Sequence, residues 1–219
     1  MSVKLSKKIT VAIDGPSASG KGTLAQMIAN HYQLQYLNTG ALYRIMAYNL
    51  ITKGFAAEEV AHKLTEIMPD FQQLDANDKR LYQEKVGMTA SIIAKNSLLR
   101  KALYDFQKNF IVEAVKNHNG CVLDGRDTTT VICPEADFKF FVTANVEIRA
   151  QRRHAQQSQQ SYEEILALLK QRDFNDFNRQ ISPLKIADDA VVIDNSALSI
   201  EESLKKIINI IESKIKVYG

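Results

Sequence analysis

The chain has 219 residues, 45% hydrophobic and 24% charged, which is near the globular average, excludes an intrinsically disordered chain and suits one compact domain with small inserted lobes. Its 28 basic and 25 acidic side chains leave a net charge of only +3, too little to argue for a nucleic-acid or membrane surface. The 2 cysteines, Cys121 and Cys133, are too few for a disulfide framework, lack the paired spacing of a zinc site, and read as buried thiols in a reducing compartment.

Lys4, Lys7 and Lys8 precede an apolar run, Ile9 to Ile13, that stops at Asp14 and is too short for a secretory signal. No stretch approaches the ~20 apolar residues of a membrane span, so a cytoplasmic protein is expected. The same run, ending at Asp14-Gly15-Pro16, predicts a buried strand and a turn. Leu24, Met27, Ile28 and Tyr32 then repeat at helical spacing. Leu34 to Leu37 reads as a second strand, followed by a helix through Leu42 to Ile51. Between Phe55 and about Ser97 the pattern is mainly that of amphipathic helix, with a short strand near Arg80 to Val86, and it suits an inserted lobe at about 50–97. Cys121–Leu123, Phe138–Val142 and Ala190–Ile193 are further short apolar runs separated by helical patterns. That alternation predicts an α/β fold, a central parallel five-stranded sheet flanked by helices.

A second insert, at about 152–179, contains the polar run Gln156-Gln157-Ser158-Gln159-Gln160 and fits a lid. The last helix is announced by Ser199 and Glu202 at capping-box spacing, followed by an apolar stripe of Ile200, Leu204, Ile207, Ile208, Ile211 and Ile215. The arginines are uneven. Of 9 in the chain, Arg149, Arg152, Arg153, Arg172 and Arg179 fall in the stretch 149–179, where Lys170 is the only lysine. A guanidinium fork is favoured for phosphate, although a solvated helix with acidic partners would also use arginine.

The chemistry begins at Gly15-Pro16-Ser17-Ala18-Ser19-Gly20-Lys21-Gly22-Thr23. This segment follows a predicted strand and opens a predicted helix, as a phosphate-binding loop requires. Its glycines let backbone N–H groups approach phosphate oxygens, the helix N-terminus adds positive potential, and Lys21 supplies charge for the β- and γ-phosphates. The Ser/Thr that usually follows the lysine is Gly22 here, so direct magnesium ligation by that hydroxyl is lost. Thr23 is expected to touch a phosphate, with Mg²⁺ held largely through water and the substrate phosphates.

The Gly-Lys-Gly-Thr form of this loop, with Asn38-Thr39-Gly40-Ala41-Leu42-Tyr43-Arg44 and Leu123-Asp124-Gly125-Arg126-Asp127, resembles the bacterial cytidylate kinase family. The resemblance runs from about Ile9 to the final helix. It implies the nucleoside monophosphate kinase fold, a P-loop core with a monophosphate-binding lobe and a lid, and transfer of the γ-phosphoryl group of ATP to CMP or dCMP. It also implies that Arg44, Arg126 and Arg179 grip the monophosphate, with Arg153 and Arg172 closing over the phosphates in transit. By the same resemblance Asp124 holds magnesium-bound water, Thr39, Ser91, Arg100 and Asp127 surround the acceptor nucleotide, and Arg172 and Asp176 contact ribose. A monophosphate already carries an anionic oxygen, so no catalytic base is needed, which suits a site rich in arginine and without histidine. His31, His62, His118 and His154 read as surface or packing residues.

The chain departs from the family at several places. Phe174, Asn175 and Phe177 stand where charged residues are expected, so a less charged and more tightly packed lid is expected. Thr129 stands where glycine is usual, and a β-branched residue must avoid positive φ there or be strained. The lobe between Arg44 and Ser91 is also shorter than is typical. The rival readings are a P-loop kinase for another nucleoside monophosphate or small metabolite, a nucleotide switch, and a nucleic-acid binder. The chain has no Asn-Lys pair for guanine and no aromatic-basic strand pattern. A monomer acting on ATP and CMP or dCMP, without nucleic-acid or membrane partners, is expected.

Overall fold

Strand β1 (Ile9–Asp14) is buried along all 6 residues, as its unbroken β-branched and small apolar sequence requires. The computed structural model describes residues 5, 7–69, 78–156 and 160–217. Lys4 and the Gln157-Ser158-Gln159 part of the expected lid run lie outside the described residues. The chain divides into two compact units, one made of Met1–Leu37 and Phe110–Gly219 and the other of Asn38–Asn109.

The first unit carries α1 (Lys21–Tyr32), most of β2 (Gln35–Asn38), β3 (Gly120–Gly125), β4 (Phe138–Thr143), α6 (Val146–Gln156), α7 (Tyr162–Asn178), β5 (Val191–Asp194) and α8 (Ile200–Val217). Its sheet has the order β2-β3-β1-β4-β5, and the central pairings are parallel. Ile13 lies beside Asp124, and Asp14 beside Gly125 on one side and Phe141 on the other. The carboxyl ends of β1 and β3 therefore bring the phosphate loop and the Asp-Gly-Arg-Asp run next to each other, where open α/β sheets bind ligands.

Ile9, Val11 and Ile13 point into one core with Leu24 and Ile28 of α1 and Ile207 and Ile211 of α8. Each is worth about 1.5–3 kcal/mol when fully buried. The α8 stripe packs as its sequence predicts, and its cap is reciprocal: Ser199 N donates to Glu202 Oε2 at 2.8 Å and Glu202 N to Ser199 Oγ at 3.1 Å. Both cysteines are buried, and neither forms a disulfide among the described residues.

The second unit contains α2 (Thr39–Thr52), a 3₁₀ turn at Ala57–Ala61, α3 (Leu64–Ile67), a 3₁₀ turn at Lys79–Tyr82, α4 (Glu84–Ile93) and the first part of α5 (Ser97–Asn117). Asn38 caps α2 by accepting from Ala41 N at 3.0 Å. The strand expected near Arg80 to Val86 does not form. Asp78 caps the Lys79–Tyr82 turn by accepting from Arg80 N at 2.9 Å, and Val86, Gly87, Ala90 and Ile93 are buried at helical rather than alternating spacing.

Candidate active site

The phosphate loop occupies Gly15 to Gly20, and Lys21, Gly22 and Thr23 form the first turn of α1. At Gly15 a Cβ would lie 2.0 Å from the Val142 carbonyl oxygen, so no side chain fits. Ala18 at φ 59° and Gly20 at φ 83° supply the change of hand that curls successive N–H groups into an anion-binding concavity. Ala18 keeps its Cβ in the left-handed region, a strain of about 1 kcal/mol held at the loop. Three loop carbonyls are tied down. Lys21 Nζ donates to Pro16 O at 3.2 Å, Arg149 Nη1 to Ser17 O at 3.0 Å, and Asn195 Nδ2 to Ser19 O at 2.8 Å. The Ser19 hydroxyl is buried and has no hydrogen-bond partner among the described residues. Thr23 is exposed.

The same unit gathers most of the charged residues singled out from the sequence. Asp124 is buried on β3, where Tyr36 Oη donates to its Oδ1 at 2.7 Å. Burial pushes its carboxyl up, opposed by Lys21, Tyr36 and Arg126. Burial, with Arg126 nearby, pushes the Lys21 ammonium down to about 7, against the carboxylates of Asp124, Asp176 and Asp14. Arg126 donates through Nε to Asp176 Oδ2 at 2.7 Å and through Nη1 to Gly125 O at 3.1 Å. Burial raises the Asp176 carboxyl, but Arg126, Arg179 and Arg172 together outweigh it and hold the group below its ordinary value. Arg179 Nε donates to Ser182 O at 2.5 Å, and its Nη2 lies 3.9 Å from Asp127 Oδ1. Arg153 is half-buried on α6.

The second unit holds the remaining candidates. Arg44 Nη1 donates to Leu81 O at 2.9 Å, and its guanidinium carbon stands 5.2 Å from the centre of the Tyr82 ring. Gly87 leaves room for that guanidinium, since a Cβ there would lie 3.2 Å from Arg44 Nη1. Ser91 Oγ donates back to Gly87 O at 3.1 Å, so it lies one turn beyond Gly87 on α4. Arg100 is buried, donates to Ala94 O at 3.3 Å and faces the Tyr43 ring at 6.0 Å. Thr39 is the buried first residue of α2.

Several residues matter here that the sequence reading left without a role. Asp14 is fully buried and accepts from Thr128 N and Oγ1 and from Thr129 N and Oγ1 at 2.6–2.9 Å. Burial still pushes its carboxyl up. Thr129 escapes the strain considered for it, because it lies in the single π turn Thr128–Ile132 and is not among the residues at positive φ. Arg149 is 4% exposed and binds Asp173 through both terminal nitrogens at 3.1 and 2.5 Å, besides the Ser17 and Ala144 carbonyls. The expected tight packing of the lid phenylalanines is not found: Phe174 is 64% and Phe177 47% exposed on α7.

The cytidylate kinase family model matches residues 11–213. The cytidylate kinase of Bartonella tribocorum is 43% identical over 217 residues, covering 97% of this chain and 98% of that protein. The cytidylate kinase of Bartonella henselae is 44% identical over 215 residues, covering 96% of this chain and 97% of its own. Among solved structures, an uncharacterized protein from Eubacterium ventriosum superposes with a TM-score of 0.55 at 15% identity, covering 94% of this chain and 99% of that chain, a likeness of fold alone. With the family match running from β1 into α8 through the phosphate loop, the Asp-Gly-Arg-Asp run and α7, the chain belongs to the cytidylate kinase family.

Proposed function

We infer that the chain transfers the γ-phosphoryl group of ATP to CMP or dCMP, giving ADP and CDP or dCDP. The observation that carries this reading is the convergence of the phosphate loop, Asp124 and an Arg126–Asp176–Arg179 network at the carboxyl ends of β1 and β3, within a chain of this family. An anionic oxygen of the acceptor phosphate attacks the γ-phosphorus in line, the bond to the β-phosphate oxygen breaks, and ADP departs with that electron pair. No proton has to be removed, so the protein works by positioning and by neutralising charge.

In this reading Gly15 to Thr23 bind the ATP phosphates, where the buried Ser19 hydroxyl gains the oxygen partner it otherwise lacks. Lys21 lies over the β- and γ-phosphates. Arg126, Arg153 and Arg172 spread charge from the phosphoryl group in transit. Arg44 and Arg179 hold the acceptor phosphate with Arg126. Thr39, Ser91 and Arg100 surround the nucleotide, Asp176 with Arg172 contacts ribose, and Asp127 accepts from the exocyclic N4 amino group of cytosine.

Mg²⁺ fits the donor set. No group of three or more His, Cys, Asp or Glu is placed to cage an ion among the described residues, and Gly22 offers no hydroxyl, whereas Asp124 puts one hard oxygen ligand beside the loop. One carboxylate acting through water suits an ion that keeps much of its hydration and shares substrate phosphates. When bound, it neutralises charge on the β- and γ-phosphates. The segment at about 152–179 serves as a lid that closes over both nucleotides and excludes water. A cytoplasmic monomer is part of the proposal, and two buried cysteines outside any disulfide suit that reducing compartment.

A coupled ADP-release assay across CMP, dCMP, UMP, AMP, GMP and TMP tests the reading. Turnover with CMP or dCMP far above the purines and TMP is expected. A clear preference for another monophosphate overturns it.

A further inference from the structure

Asp14 ends β1 immediately before Gly15, and its carboxylate is fully enclosed. Oδ1 accepts from Thr128 N at 2.9 Å and Thr128 Oγ1 at 2.7 Å, while Oδ2 accepts from Thr129 N at 2.8 Å and Thr129 Oγ1 at 2.6 Å. A carboxylate offers about four acceptor positions, so each oxygen carries the two donors it can hold. All four come from the two residues that directly follow Arg126-Asp127. On the other side, the Asp127 carbonyl accepts from Val131 N at 2.9 Å and Ile132 N at 3.1 Å, and Cys133 N closes onto Thr128 O at 2.7 Å. The backbone of Asp127 is thus gripped from both sides. Nothing in phosphoryl transfer itself calls for this arrangement, and the Thr129 hydroxyl stands where the family usually has glycine.

We propose that Asp14, Thr128 and Thr129 are positioning residues that lock Arg126 and Asp127 in register with the phosphate loop, presetting the acceptor side of the site before the monophosphate arrives. Because Asp14 is joined directly to the loop that holds the donor phosphates, the four hydrogen bonds tie the two substrate-binding segments into one rigid piece. Such alignment matters greatly, since a displacement of about 1 Å in a reacting group can cost on the order of 10²-fold in rate. The proposal rests on the reading that Arg126 and Asp127 engage CMP.

The test replaces the two hydroxyls by methyls of the same shape in the full chain, Thr128→Val with Thr129→Val, leaving both backbone donors in place. The affinity for CMP should fall at least ~10-fold while that for ATP stays within ~2-fold, as expected when charge-assisted hydrogen bonds are lost. Amides 126–132 should exchange faster, whereas those of α8 are unchanged. Thr128→Ser with Thr129→Ser should restore CMP affinity to within ~3-fold of the parent, because the hydroxyl is the working group. A folded valine variant with parental CMP affinity, an equal loss for ATP and CMP, or failure of serine to rescue overturns the proposal. Should the double valine variant not fold, Thr129→Gly removes one donor, and unchanged CMP affinity in it is equally fatal. If the parent chain binds no CMP, the functional reading falls, and the exchange of amides 126–132 alone decides whether the clamp holds the loop.

Discussion

The phosphate loop and helix α7 handle charge in opposite ways. In the loop, three carbonyls are bound by Lys21, Arg149 and Asn195, and the backbone changes hand at Ala18 and Gly20, so its shape is held by the protein's own groups. On α7 the ionised groups instead satisfy one another and their neighbours: Asp173 takes Arg149, and Asp176 takes Arg126 with Arg172 and Arg179 close by. An incoming phosphate finds a finished cradle in the first case and must compete with carboxylates in the second. Preorganised backbone supplies binding without rearrangement, whereas paired side chains supply a geometry that substrate can redirect.

The harshest way to break this contrast is to remove the buried lysine that opens α1 beside the loop. Lys21→Ala should lower kcat by at least ~10²-fold while leaving the fold intact, because the transition-state charge loses its partner and the backbone cradle does not depend on that side chain alone. Steady-state kinetics with circular dichroism reads both parts. Near-normal turnover in a folded variant would sink the phosphate-loop reading.

Arg149 belongs to both regions, since it holds the Ser17 carbonyl and Asp173. Arg149→Met leaves a partly buried carboxylate and two carbonyls without their donor, a loss of about 3 kcal/mol, the low end for a broken buried pair. For a chain of this size that is a fall of about 10 °C in Tm by calorimetry. Asp173→Asn, which spares both carbonyl bonds, should cost clearly less. Equal losses would mean that the ion pair, not the grip on the loop, is what Arg149 contributes.

The α7 side is sharpened through Asp127, whose Oδ1 lies 3.9 Å from Arg179 Nη2. If Asp127 accepts from cytosine N4, Asp127→Asn should reduce kcat/KM for CMP much more than for UMP and narrow their ratio by at least ~10-fold, because the amide can donate to uracil O4. Equal losses for the two substrates would sink base readout by Asp127 and leave it a supporting role.

The two regions also differ in how far the sequence discloses them. The loop was legible because its requirements are local: a strand, glycines where side chains are excluded, a lysine and a helix. The five strands were legible for the same reason, as short apolar runs between turn residues. What escaped depends on partners far along the chain. Asn195 reaches Ser19 across 176 positions, Arg149 reaches Ser17 across 132, and Asp14 meets Thr128 across 114. No periodicity reports such pairings. The only hint was that Thr129 replaced an expected glycine, and the structure turns that apparent liability into a hydrogen-bond donor. The Arg80 to Val86 strand failed differently, because Asp78 caps a 3₁₀ turn at Lys79–Tyr82 and Val86 belongs to the helical stripe of α4 that follows. Phe174 and Phe177 looked like packing residues by type, yet their face of α7 is exposed.

The smallest effect is a proton. In the free protein, burial and Arg126 push the Lys21 ammonium down to about 7, so at pH 8 only about one-tenth of the molecules carry that charge. Bound ATP places phosphate oxygens beside it and raises its affinity for a proton. ATP binding at pH 8 should therefore take up close to one proton at Lys21, and binding at pH 6 almost none. Calorimetry in buffers of different ionisation enthalpy measures this directly, and Lys21→Met should abolish it. Linkage fixes the companion trends: ATP affinity falls by up to about tenfold per pH unit above 7, until the bound lysine itself titrates. For the unliganded protein the sign is the reverse. An unfolded lysine keeps its proton to about pH 10.4, so between about pH 7 and that value the unfolded chain binds more protons and the folded chain gains stability as pH rises. Absence of uptake at pH 8 would mean that Lys21 is already charged in the free loop, and the finished cradle would then include its cation before the nucleotide arrives.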